Sequence, residues 1–225
     1  MWILSSIYVT FFQSSTQTHC EVDNFAPSIS AAIGSYLPQK YVWQTCICLH
    51  ISPRFLFLYM YKRFYEDRIK NKTKNIQRLV NVALSVQFLE LISLLGLTIV
   101  SSLENFDIHK VCFVSFGVCS LIYFSLTVYL WTHSGLNLET NEEINSLRIK
   151  KRVLKVYFIL GLCMSYFYWW HNEYCTPYVY SFFCICEYVI VVANMYFHAT
   201  ARHDFAYVNL NLPSRPNYLP LHTSE

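Results

Sequence analysis

Charge is scarce in this sequence: Asp, Glu, Lys and Arg make up only 14% of its 225 residues. Soluble domains carry about 25%, so an ordinary water-soluble fold is excluded. Period-two alternation of apolar and polar residues is also missing, which excludes a transmembrane barrel. Neither a G-x-S-x-G elbow nor an H-E-x-x-H zinc helix occurs, so no nucleophile-elbow hydrolase and no metal site is expected. The apolar start, residues 1–12, has no basic n-region and no clear small-residue cleavage site, and so does not read as a cleavable signal.

What the chain has instead is 54% hydrophobic and 18% aromatic residues, with a positive mean hydropathy. Apolar runs occupy 43–61, 79–100, 111–131, 153–170 and 177–197. At 1.5 Å per residue, runs of about 20 residues match a hydrocarbon core of about 30 Å. Residues 1–12 are half that length and are read as a first helix, shortened or truncated. The expected fold is therefore all-α: a polytopic membrane helix bundle of about six spans within 1–203. A proline-bearing tail, 204–225, is expected to be cytoplasmic and disordered.

Lys and Arg set the orientation, because they accumulate on the cytoplasmic side. KRFYEDRIKNKTKNIQR at 62–78 holds seven basic residues, and the connection 132–152 holds Arg148, Lys150, Lys151 and Arg152, whereas the opposite connections hold only Lys40 and Lys110. The basic segments are placed in the cytoplasm together with both termini, and 13–42, 101–110 and 171–176 in the lumen. The match of Asn71-Lys72-Thr73 to a glycosylation acceptor is then a chance one. Of nine cysteines, Cys20 and Cys175 alone fall in lumenal loops. In that oxidising compartment a disulfide between them is expected over two free thiols.

Three ionisable residues lie deep in apolar runs: Arg54, Glu90 and Glu187. A charge at the bilayer centre costs about 2.5 kcal/mol or more, so their helices are expected to touch, with one Arg between two carboxylates. Each continues a polar stripe at helical spacing: His50 with Arg54; Gln87 and Glu90 with Thr98 and Ser101; Glu187 with Asn194 and His198. Two readings stand side by side. One is interhelical glue; the other is a polar cavity for a lipid headgroup or an acyl-transfer reaction. In the second, His109 and His171, at the lumenal helix mouths, are candidate general bases, since imidazole titrates near neutral pH. Glu104, Asp107 or Glu173 would orient them. The uncharged stretch 27–34 is either an ordered surface loop or a lid over the cavity mouth.

HCEVDNFAPSISAAIGSYLPQKYVW at 19–43, LHISPRF at 49–55, LELISLLGLTIVSSLENFDIHK at 89–110 and HNEYCTPYVYSFFCICEYVIVVANMYFHATARHDF at 171–205 resemble, in this order, the post-GPI attachment to proteins factor 2 family. The resemblance implies a six-span protein of the Golgi and endoplasmic reticulum membranes that acts in GPI-anchor lipid remodelling. It also implies lyso-GPI and GPI-anchored proteins as substrates, with a saturated chain returned to the sn-2 position from a donor such as a saturated acyl-CoA or a phospholipid. No bound cofactor is expected. His171, His109 and Glu187 are the candidate catalytic residues, and His50, Arg54, Glu90 and Asn194 the candidate substrate-binding ones. The alternative is a non-catalytic lipid-binding or presenting subunit for a separate acyltransferase. A channel or transporter ranks last, because inverted repeats with broken helices are not evident beyond Pro53.

Overall fold

The computed structural model describes residues 11–34, 37–69, 73–134 and 140–206. Most of the expected first helix, the Asn71 acceptor motif and nearly all of the expected tail lie outside the described residues. Residues 11–16 are helical. After them come α1 (Ile29–Ile33), α2 (Gln39–Ile69), α3 (Lys74–Ile99), α4 (Phe106–His133), α5 (Asn141–Tyr174), α6 (Val179–Ala199) and α7 (Ala201–Asp204). No strand occurs among the described residues. The protein is a helical membrane bundle.

Among the described residues, four helical stretches are long and apolar enough to cross a membrane: α3, α4, α5 and the continuous Val179–Asp204 formed by α6 and α7. At 31 residues, α2 is also long enough, about 46 Å, but it is more polar, with Pro53 and buried Arg54 in its middle. Leu49, Leu56, Val82, Leu89, Val111, Val118, Ile159, Leu162 and Val192 all face outward. In water such a surface would aggregate; in a bilayer it is the lipid-facing belt.

Helix ends are set locally. Thr140 and Glu143 form a reciprocal capping box at the start of α5, satisfying two otherwise orphaned backbone donors. The Asn105 side chain caps α4 by accepting from the Ile108 N–H, and Ser28 does the same for α1 through the Ala31 N–H. The α5–α6 turn contains two non-glycine residues with left-handed backbone, Cys175 (φ 46°) and Tyr178 (φ 66°). Such residues persist only where their surroundings hold them. Here Cys175 is bonded to Cys20, and the Tyr178 N–H donates to the Asp23 carbonyl at 2.9 Å. The N-terminal loop thus clamps the turn.

Among the described residues three apolar clusters fill the interior. Ile47, Ile51, Leu91, Leu94 and Phe116 join α2, α3 and α4 near the end of the bundle that carries the disulfide. Tyr123, Phe124, Val153, Tyr157, Ile190, Ala193 and Phe197 join α4, α5 and α6. Tyr61, Tyr65, Ile69, Val80, Ala83, Leu130, Trp131 and Ala201 close the opposite end.

That opposite end differs from the sequence expectation at two residues. Lys150, counted among the solvated basic residues, is 1% exposed; its Nζ donates to Asp204 Oδ2 and Ser146 Oγ and lies over the Trp131 ring. Asp204, assigned to the tail, is buried and also accepts from the Tyr61 hydroxyl, while Phe205 packs against Tyr61. An apolar-run search cannot find such a pair, because each charge is neutralised by a residue 54 positions away.

Candidate functional site

The midplane of the bundle holds a polar knot in which α2 contributes Arg54, α3 Glu90, α4 Ser120 and α6 Asn194 and His198. Arg54 Nη2 donates to Glu90 Oε1 at 2.7 Å, with side-chain exposures of 3% and 0%. The same oxygen accepts from Asn194 Nδ2 at 2.7 Å and from Ser120 Oγ at 3.0 Å. Arg54 Nη1 donates to Asn194 Oδ1 at 3.3 Å. Arg54 Nη2 also lies 2.5 Å from His198 Nε2. A guanidinium only donates, so that nitrogen accepts, and the 3.2 Å approach of Glu90 Oε1 to it is a contact, not a second bond. Four helices are thereby tied at one carboxylate oxygen.

Polar atoms around the knot remain open. His50 Nε2, Arg54 Nε, Gln87 Nε2 and Oε1, and Glu90 Oε2 are buried without a partner among the described residues. Leaving a buried polar atom unpaired costs about 1–3 kcal/mol, so this layer is suited to water or to a polar headgroup. His50 stands one turn from Arg54 on α2 and borders it.

Glu187 does not join Arg54. Asn194, seven residues further along α6, is the residue that reaches the guanidinium, which places Glu187 about 10 Å nearer the disulfide end. There its Oε2 accepts from the Ile29 N–H of α1 at 3.1 Å. The expectation of one Arg between two carboxylates is corrected for this reason: a backbone donor from the N-terminal loop, which no helix-periodicity argument anticipates, supplies the partner of Glu187.

Around Glu187 the segment 24–34 folds onto the bundle. Ser181 Oγ accepts from the Phe25 and Ala26 N–H groups at 2.9 and 3.3 Å, and the Tyr188 hydroxyl donates to the Pro27 carbonyl. Gly34 ends α1 so close to the preceding turn that a Cβ there would meet the Ser30 carbonyl at 2.7 Å.

Both candidate histidines are at this end, in separate settings. His109, 8% exposed, has its Nδ1 2.7 Å from the Val100 carbonyl oxygen and its Nε2 2.7 Å from Ser30 Oγ. Since a carbonyl only accepts, Nδ1 carries the proton and Nε2 is free to receive one from the serine. His171, buried at the end of α5, has Nε2 3.1 Å from Thr18 Oγ1 and packs against the His19 and Tyr180 rings. Its Nδ1 is buried without a partner among the described residues.

None of the acids expected to orient these imidazoles does so among the described residues. Glu104 pairs with Lys40 at 2.7 Å and accepts from the Ser101 N–H at 2.9 Å. The Lys40 ammonium and that backbone donor hold the Glu104 carboxyl down at about 2. A main-chain carbonyl, which carries no sequence signature, has taken the orienting role at His109.

Cys20 and Cys175 are joined, with Cα atoms 5.3 Å apart. His19 brings a ring nitrogen within 4.8 Å of the two sulfurs, but the sulfurs are bonded to each other and offer no thiolate pair. At the opposite end, a cleft of about 450 Å³ is lined by Tyr65, Glu66, Asp67, Gln77 and Asn81 among others. It has two carboxylates but no imidazole, so the acid–base pairs lie elsewhere.

The sequence reading missed Ser30, Thr18, Ser120 and Ser181 as partners. Ser120 had a signal, a hydroxyl in an otherwise apolar stretch of α4. Ser30 had none beyond its place in an uncharged loop.

A family profile described as the Frag1/DRAM/Sfk1/Cwh43P N-terminal domain matches residues 1–208. Post-GPI attachment to proteins factor 2 of Caenorhabditis briggsae is 37% identical over 94% of this chain and 81% of its own length. A Xenopus tropicalis protein named Acyltransferase PGAP2 is 39% identical over 86% of this chain and 77% of its own. The chain belongs to the post-GPI attachment to proteins factor 2 family. A further member of this family, from Drosophila melanogaster, is 34% identical over 88% of the chain and 77% of its own length. No solved structure matches. The profile match spans the residues of both polar layers.

Proposed function

We propose that this chain remodels GPI-anchor lipids by reacylating lyso-GPI-anchored proteins at sn-2 with a saturated fatty acid. The observation that carries this reading is near full-length similarity to relatives named for post-GPI attachment, with two of the matching relatives named acyltransferases. The geometry supports it. His109 has a fixed tautomer with Nε2 directed at a hydroxyl, which is the arrangement a general base for acyl transfer needs. The midplane knot, with its open polar atoms at His50, Arg54 and Glu90, is suited to holding the polar part of a lipid that enters from the apolar surroundings.

In this reading the disulfide end faces the lumen of the Golgi, or of the endoplasmic reticulum, and both termini are cytoplasmic. Two features support that orientation. Cys20–Cys175 sits at one end, as an oxidising compartment favours. Lys62, Arg63, Arg68, Lys74 and Arg78 sit at the other, as the positive-inside rule requires. The acyl donor is a saturated acyl-CoA or a phospholipid, and no bound cofactor is invoked.

The test is an acyl-transfer assay with the purified full chain in nanodiscs, supplied with lyso-GPI lipid and labelled stearoyl-CoA or stearoyl phospholipid. Formation of diacyl GPI supports the reading. Folded protein that binds the lyso lipid without turning it over refutes an enzyme and identifies a presenting subunit.

A further inference from the structure

The hydroxyl on the His109 base is not an empty position awaiting substrate; it belongs to the protein. Ser30 Oγ stands 2.7 Å from His109 Nε2, and Nδ1 of the same ring is held 2.7 Å from the Val100 carbonyl oxygen. Nucleophile, base and orienter are therefore in line, and only the third member, a main-chain oxygen in place of a carboxylate, departs from the usual triad logic. Ser30 is only partly buried while His109 is buried, so the nucleophile is reachable and its base is shielded. Ser30 is held in place by its short helix: Ser28 caps α1, Glu187 accepts from Ile29 and Tyr188 donates to the Pro27 carbonyl. The bonds from Glu187 and Tyr188 already tie this segment to α6, so a serine whose only task was to dock α1 would add little to them.

We infer that Ser30 is an acyl-accepting nucleophile activated by His109, so that transfer proceeds in two steps through an acyl-serine. This inference rests on the acyltransferase reading above. In the first step Ser30 Oγ attacks the carbonyl carbon of a saturated acyl thioester or ester, and its proton passes to His109 Nε2. The bond from that carbon to the donor's sulfur or oxygen then breaks, and the leaving group takes the proton from His109. In the second step the free sn-2 hydroxyl of the lyso lipid attacks the acyl-serine and gives its proton to Nε2. The Ser30 oxygen leaves and recovers that proton. The acyl group has moved from donor to acceptor with no change of oxidation state, and the enzyme is restored.

The order of steps has a structural reason. Direct attack by the lipid hydroxyl would require it to displace Ser30 from His109 Nε2 before the base could act, whereas in the two-step route each hydroxyl uses the nitrogen in turn. Glu187, Ser28 and Tyr188 are positioning residues in this scheme: they hold the segment that carries Ser30.

The experiment uses the full chain in nanodiscs with alkyne-tagged stearoyl-CoA or a tagged stearoyl phospholipid, first without and then with lyso-GPI lipid. Without acceptor, a covalent acyl adduct on the peptide containing Ser30 is expected, stable to neutral hydroxylamine as an oxyester is, and discharged when acceptor is added. Ser30→Ala should abolish the adduct and lower transfer by about 10²-fold or more, the scale of losing an acid–base-assisted step. Ser30→Cys should restore an adduct, now as a hydroxylamine-labile thioester, a change of linkage that a merely structural serine does not produce. Transfer at the wild-type rate by Ser30→Ala, or wild-type turnover with no Ser30 adduct from either donor, overturns this inference and leaves the acyltransferase reading standing. Folded protein that neither labels nor transfers overturns both.

Discussion

Arg54→Met should unfold the bundle more readily than any exchange on its lipid-facing surface. In the native structure the guanidinium and the Glu90 carboxylate are 2.7 Å apart, with side chains 3% and 0% exposed. Removing one partner of a buried pair typically costs about 3–5 kcal/mol. After Arg54→Met the carboxylate keeps donors from Asn194 and Ser120, so the lower end, about 3 kcal/mol, applies, more than a hundredfold in the folding equilibrium. Glu90→Gln leaves the cation with neutral acceptors such as Asn194 Oδ1 and His198 Nε2 and no counter-charge, and should cost about 4–5 kcal/mol. For a chain of this size a loss of 3 kcal/mol lowers the melting temperature by about 6–12 °C. The double variant carries no unpaired charge, so its cost should fall short of the sum of the singles by about 2–3 kcal/mol. Thermal melts of all four proteins in nanodiscs, followed by circular dichroism, measure this coupling. A single variant that melts within 2 °C of wild type, or a double variant whose losses simply add, refutes the reasoning.

Other perturbations have distinct signatures. Cys20→Ser opens a loop of 155 residues, for which chain entropy sets an upper estimate of about 5 kcal/mol; alkylation of the denatured but unreduced wild-type chain should modify seven cysteines and spare two. Lys150→Met, which strands the buried Asp204, should cost about 3–5 kcal/mol, and adding Asp204→Asn should recover part of it in the same melts. The Lys40–Glu104 pair should show in the pH dependence of stability. Because the folded-state carboxyl is depressed to about 2, its contribution is full above the ordinary carboxylate range and fades as pH falls toward 2. Lys40→Met should flatten that part of the melting curve between pH 5 and 2, and an unchanged profile would show that the pair contributes nothing.

Much of the architecture was legible in the residues. Long apolar runs with few charges can only be helices in a bilayer, because every backbone polar group must be satisfied within its own segment. The polar stripes of α2, α3 and α6 were equally legible, since residues at helical spacing share a face whatever the tertiary fold. Helix ends were less so: α5 begins at Asn141 and α2 runs to Ile69, well beyond their apolar parts, because a capping box and packing at the basic end extend them past the hydrocarbon length.

Partnership was not legible. Arg54 was expected between two carboxylates, yet it meets only Glu90, because Glu187 is taken by the backbone of the docked α1. His109 could be proposed as a base, yet its tautomer is set by the Val100 carbonyl and its proton donor is Ser30, 79 positions away. The sequence alone determined that this chain is a helical membrane bundle and which polar residues of α2, α3 and α6 share a face, because hydrophobicity and helical period are local properties. Only the tertiary structure decided that Lys150 and Asp204 are buried together, that Glu187 serves α1, and that Ser30 meets His109. Those pairings depend on the relative placement of helices and a docked loop, and buried polar groups take whichever donors and acceptors that placement brings within reach.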